Sequence, residues 1–188
     1  MNRPTLRSIT LESLSQGIPV IPAESAGFYQ QSCMVCFHRC GHRSGVRLIV
    51  HYADAEEPVE ICWEGEIDAQ LLRSFEERRA TDNAACAIAL LLMRELTEYT
   101  AIKQSPIGTT IDYYLTSKHR AGELRNEDLI FNQVEARLEV SGILRETPEN
   151  TVEHRINQKR RRLEREGDLP DLIVVVEFSK PWSKVVTL

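Results

Sequence analysis

The run LIVVVEF at Leu172–Phe178 constrains the fold more than any other segment of the chain. It is continuous and rich in β-branched residues, so it reads as a strand buried on both faces. Such a strand needs a covering layer above and below its sheet, which points to an α/β protein with helices flanking a mixed sheet. The 188 residues fit one domain that can bury a core without disulfide or metal staples. The longest apolar stretch, Ala84 to Met93, is too short for a bilayer span of roughly 20 residues.

Periodicity places the other elements around that strand. A helix is expected over residues 23–40. Gly45–Tyr52 and Val59–Trp63 read as two strands of an antiparallel hairpin joined by the acidic turn ADAEEP, after a polar lead and an extended segment at Ile18–Ile21. Residues 67–79 suggest a short helix started by Asp68. Thr81–Glu98 is an almost wholly apolar helix, expected to be capped by Thr81 or its neighbour, with Asp82 in its first turn. Strands follow at Thr100–Ser105, Thr109–Thr116 and Phe131–Ser141, the last alternating and broken by Gly142. Asn150 then caps a helix over Thr151–Glu166 that stops at Gly167-Asp168. From residue 81 the order is helix, three strands, helix, strand. A core over 80–188 is therefore expected, extended by the helix and hairpin of residues 1–79, as one domain.

The five cysteines are Cys33, Cys36, Cys40, Cys62 and Cys86. An odd count, with no apolar signal segment in residues 1–20, suggests reduced thiols and a cytoplasmic protein. Cys33, Cys36, Cys40 and His42 offer zinc-ligand chemistry, but no second ligand pair accompanies them. Tyr29, Cys33, Cys36 and Cys40 instead fall on one face of the expected helix, which favours core packing over a zinc-binding interaction module. Cys86, on the apolar helix, reads the same way. His38, His42, His51, His119 and His154 show no triad-like pairing.

Three acids form the chemical signal. If the strands carrying Asp112 and Glu139 pair antiparallel, the start of one lies beside the end of the other, and both acids can face the same side. An antiparallel helix would bring Asp82 to the same end. Converging carboxylates repel unless a hard cation such as Mg²⁺, or Mn²⁺ in its place, sits between them. Each acid also has a plain explanation. Asp112 and Glu139 could be solvated, and Asp82 could simply favour a helix dipole. Glu95 lies at the wrong end of its helix, and Glu177 reads as an acid with a structural partner.

The order αβββαβ, GTTIDYYL at 108–115 and ARLEVSG at 136–142 together resemble the PD-(D/E)XK nuclease superfamily, the restriction-endonuclease-like fold, over residues 81–178. The resemblance implies that Asp112 and Glu139 bind Mg²⁺ (or Mn²⁺) and that Asp82 is the helix acid completing the site. It also implies a lysine that assists the attacking water. Two positions depart from the pattern: Ile111 replaces the nominal proline, and Ser141 stands where the lysine would be. A serine supplies no positive charge to the transition state. Some members of the superfamily carry the compensating cation on the following helix. Lys159 is the candidate there, with Arg155 next, at i, i+4 on one face.

Net charge is −5, from 23 Lys+Arg against 28 Asp+Glu, which excludes a uniformly basic nucleic-acid binder. The charge is unevenly distributed. Residues 53–68 hold seven acids and no base, while 151–166 hold six bases against three acids. Arg155, Lys159, Arg160 and Arg162 could contact phosphates, or the helix could be a solvated face laced with ion pairs. The expected function is Mg²⁺-dependent hydrolysis of DNA phosphodiesters by Asp112, Glu139 and Lys159, in a homodimer or a subunit of a larger complex. The alternative is a catalytically inactive protein of the same fold, acting as a nucleic-acid-binding or protein-interaction module.

Overall fold

The computed structural model describes residues 6–122, 133–163 and 169–188. The expected strand positions 131 and 132, the last turn of the basic helix and its Gly167-Asp168 stop lie outside these residues.

Helices and a mixed eight-stranded sheet make an α/β architecture. The sheet is ordered β1-β3-β2-β8-β7-β6-β5-β4, with β1 Arg7–Thr10, β2 Val46–Tyr52, β3 Ala55–Cys62, β4 Tyr99–Gln104, β5 Tyr113–Ser117, β6 Ala136–Ile143, β7 Asp171–Glu177 and β8 Trp182–Thr187. All seven residues of β7 are buried. Leu172, Val174 and Val176 point into a core shared with α1 (Ala23–Arg39) and α3 (Glu77–Leu96). Ile173 and Val175 point into a second core under α5 (Val152–Leu163). The β-branched run is thus the middle layer of a three-layer sandwich, the condition that favours such a composition. Among the described residues no helix is long and apolar enough to cross a membrane.

The N-terminal hairpin extends this sheet through the C-terminal strand β8. β8 pairs antiparallel with β7 and parallel with β2, so residues 46–62 continue the sheet of the core. Within the hairpin the turn is tighter than the expected six-residue connection. Tyr52 pairs with Ala55, leaving only Ala53 (φ 48°) and Asp54 (φ 64°) in the left-handed region, and residues 55–58 join β3. A two-residue turn of this hand matches the twist of its strands. The segment Ile18–Ile21 is a turn rather than a strand. It reaches β4 through one amide, Val20 N–H to Ala101 O at 3.1 Å. Residues 118–121 form the single helical turn α4 (Lys118–Ala121) at the start of the charged loop.

α1 packs its cysteine face as the periodicity requires. Cys33 Sγ donates to Ala84 O at 3.4 Å and Cys40 Sγ to Leu144 O at 3.3 Å, while Cys36 Sγ lies 4.0 Å from the Thr81 hydroxyl. His42 is directed elsewhere, with Nε2 3.1 Å from Ser179 O. Burial raises the thiols of Cys33 and Cys36, the latter to about 12, so neither is poised as a thiolate ligand. Asp68 caps α2 (Ala69–Ser74) by accepting from Leu71 N–H at 2.7 Å, as anticipated.

Several expected boundaries move. The helix expected over 67–79 stops at Ser74, and the strand expected from Thr109 starts only at Tyr113, so Asp112 lies just outside it. α3 begins a turn earlier than Thr81, because the Glu76 carboxylate accepts the N–H groups of Arg78 and Arg79 at 2.9 Å each and so caps it. Asp82 therefore lies in the second turn. α5 is capped by Thr151, whose hydroxyl accepts from His154 N–H at 3.1 Å, while Asn150 instead holds Arg155.

Gly142 does not break β6, which runs through it to Ile143. Its lack of a side chain serves the helix above. A Cβ at this position would lie 2.6 Å from Thr81 O and 3.0 Å from the Ala85 methyl. Only glycine lets α3 come down on β6 at this point. Gly142→Ala is expected to destabilise the protein by about 1–3 kcal/mol through overpacking, read as a lowered urea midpoint. An unchanged midpoint would mean that α3 shifts freely at this contact.

Candidate active site

β6 outruns its neighbour, and the site lies where it does. The β5–β6 ladder pairs Tyr113 with Leu138 and runs away from residue 139, so among the described residues β6 has no strand partner on that side beyond Leu138. Asp112, just before β5, bridges the gap. Its N–H donates to Leu138 O at 2.9 Å, and its Oδ2 accepts from Val140 N–H at 2.7 Å. A carboxylate thus takes the hydrogen bond that a strand carbonyl would have taken. The notch left open allows α3 and α5, packed on opposite faces of the sheet, to look into one cleft. That cleft encloses about 500 Å³ and is lined from α3 by Arg78, Asp82 and Cys86, and from α5 by Arg155, Gln158, Lys159 and Arg162.

Asp112 and Glu139 come together at this notch, close enough for the charge on one to raise the carboxyl of the other. Lys159 Nζ also donates to Glu139 Oε1. Glu139 is buried, with 6% of its surface exposed. Burial, followed by the neighbouring Asp112 carboxylate, pushes its carboxyl up to about 8 against the pull of the Lys159 ammonium. Asp82 is exposed at the rim by area. Even so, partial shielding from water, with Asp112 as the adverse charge, raises its carboxyl, while Arg78, Arg155 and Lys159 pull it down. Its place in the second turn of α3 removes the helix-dipole explanation, since that field acts over the first turn.

Two neighbouring carboxylates, one driven toward its neutral form, supply oxygen donors of the kind a hard cation takes, and a divalent ion between them would relieve their repulsion. Among the described residues, no three His, Cys, Asp or Glu side chains form a ready-made ligand group. Asp112 and Glu139 couple by charge, and Asp82 couples to Asp112 in the same way across the cleft.

The basic helix divides its charges. Arg155, Lys159 and Arg162 line the cleft, and Arg155 is held by Asn150 Oδ1 at 2.6 Å. Arg160, grouped with them in the sequence, points away. It lines a separate groove of about 550 Å³ with His51 and Lys184, between α5 and the β2–β3 turn. The reason is rotational: positions 155, 159 and 162 share one helical face, and 160 lies off it. Glu177 has the structural role expected of it, accepting from Ser179 N–H at 2.9 Å and from Lys180 N–H at 2.5 Å to fix the turn before β8.

Arg78 and Cys86 also line the cleft, although neither was expected in the site. Cys86 lies on the cleft floor, half-buried rather than lost in the core. Burial and the nearby Asp112 push its thiol up to about 12. Burial raises the phenols of Tyr113 and Tyr29 nearby as well. Counting i−4 and i+4 from Asp82 along the helix would have found Arg78 and Cys86.

Glu139 makes stability depend on pH. Its folded value of about 8 exceeds the ordinary 4.5, so its contribution is fully present below about 4.5 and is lost as pH rises through about 8. In the presence of chelator, Glu139→Gln is expected to gain on the wild type between these limits by on the order of 1 kcal/mol or more. Unfolding midpoints of both proteins across the range test this. A constant difference would show Glu139 to be ionised throughout.

No family model matches the chain, and no curated protein or solved structure matches it either.

Proposed function

We propose that the protein is a divalent-metal-dependent nuclease that hydrolyses DNA phosphodiester bonds, and that α3-β4-β5-β6-α5-β7 is a restriction-endonuclease-like core. The observation that carries this reading is the Asp112–Glu139 carboxylate pair, with Lys159 on it, in a notch open to solvent and walled by Arg155 and Arg162. A bound Mg²⁺ or Mn²⁺ would act as a Lewis acid on the scissile phosphate and lower the pKa of a bound water. Asp112 and Glu139 would hold that ion, and Asp82 would add negative charge at the rim. Releasing Lys159 from Glu139 frees an ammonium in the cleft to stabilise charge building on the phosphate, the part Ser141 cannot play. Arg155, already fixed by Asn150, and Arg162 orient the flanking phosphates.

A second reading, an inactive nuclease-fold binding protein, has two observations in its favour. Ser141 stands where the motif lysine would be, and Lys159 is already engaged by Glu139.

Plasmid and linear DNA incubated with Mg²⁺, with Mn²⁺ and with chelator separate the two readings. Metal-dependent cleavage is expected. Asp112→Ala and Glu139→Ala should each lower it by at least the roughly 10–100-fold seen when a metal's supporting partners are removed. DNA binding without cleavage under either metal would favour the inactive reading. Independently of turnover, Mg²⁺ should raise the unfolding temperature of the wild type and not that of Asp112→Ala.

A further inference from the structure

The cleft continues beyond Asp82. A second hollow of about 480 Å³ shares that residue and is walled by Phe28, Phe75, Arg79 and Asn83. Phe28, on α1, is 52% exposed, and among the described residues it is the one aromatic among the large exposed hydrophobic side chains. The ring is not loose. It stacks on Phe75, itself only 8% exposed, with centroids 5.3 Å apart and planes 29° apart. Phe75 is fixed in turn, because its carbonyl accepts from Arg39 Nη2 at 2.7 Å. A flat apolar ring is therefore backed by the core, with exposed surface left over, in a hollow that reaches Asp82 at the rim of the proposed metal site. Arg79 supplies a cation and Asn83 an amide in the same hollow, while the Glu76 carboxylate that also lines it is engaged by the Arg78 and Arg79 N–H groups it caps.

Each feature suits an unpaired nucleobase. Stacking on an aromatic face needs no particular base and rewards a rigid platform. The arginine can meet the phosphate of the same nucleotide, and the amide can bond a base edge. A base inside a duplex is already stacked on its neighbours and offers no free face to the ring. We propose that Phe28, backed by Phe75, is a stacking platform for an unpaired base next to the scissile phosphate, so that the favoured substrate is single-stranded DNA or a frayed duplex end. This rests on the nuclease reading and narrows its substrate class. Exposure at the ring, backing from the core and continuity with the acidic cleft through Asp82 together support it.

Binding tests the platform without requiring turnover. A short fluorescein-labelled single strand of mixed sequence and its blunt duplex are titrated by anisotropy, with Ca²⁺ replacing Mg²⁺. The wild type is expected to bind the single strand more tightly. Phe28→Ala should weaken that binding by about tenfold or more while leaving duplex affinity unchanged, and Phe28→Trp should restore it with quenching of the new indole emission. Unfolding midpoints of both variants confirm that the fold is kept. Single-strand binding indifferent to Phe28 would overturn the platform and leave the nuclease reading standing. Equal loss on single strand and duplex would also overturn it, marking Phe28 as structural. Failure of the wild type to bind either DNA would overturn both.

Discussion

The site exists because one backbone amide lacks a strand partner. Val140 N–H points into the gap where β5 has ended, and the Asp112 carboxylate satisfies it. An amide buried without a partner is costly, so the position demands an acceptor from outside the ladder. A carboxylate that serves as that acceptor is held beside Glu139, the next residue to face the gap. The polar cluster is thus tied to the sheet backbone, and its geometry follows from strand length.

Gly142 does for the helices what Asp112 does for the strands. With no Cβ there, Thr81 O can sit against β6, and α3 is set low enough to carry Asp82, Arg78 and Cys86 to the notch. α5 approaches from the other face on Val152, Ile156 and Leu163, and its amphipathic rotation sends Lys159 inward. Packing on both faces of one sheet therefore converges acids and bases that lie far apart in the chain. The overall charge of −5 hides this local mixture, because the acid-rich stretch lies in the hairpin and the lead-in to α2, while the basic helix leans over the cleft.

Much of this was legible in the residues. The unbroken β-branched run of β7 demanded two covering layers, and both are present. The cysteine spacing in α1 described a packing face, and the thiols sit against α3 and the end of β6. The alternation of residues 134–141 fixed which side of β6 carries Glu139, and antiparallel pairing then placed Asp112 beside it. The errors came where a local signal had a stronger competitor. Thr81 resembles a cap, but Glu76 reaches two amides where a threonine hydroxyl reaches one. Gly142 resembles a strand breaker, but its smallness serves a helix that is remote in sequence. β8 mixes lysine and serine with valine and gains its strand character from pairing on both sides, with β7 and β2.

The sequence by itself determined the layers, the core-facing side of each long element and the side of β6 that carries Glu139, because these follow from period-2 and period-3.6 patterns that every local window carries. Only the tertiary structure decided that the N-terminal hairpin joins the same sheet, that Arg160 turns away while Lys159 turns in, and that Cys86 and a backed Phe28 border the acids. Those outcomes depend on strand lengths, helix rotation and the closeness of approach at Gly142. These are quantities of three-dimensional packing that no single stretch of sequence encodes.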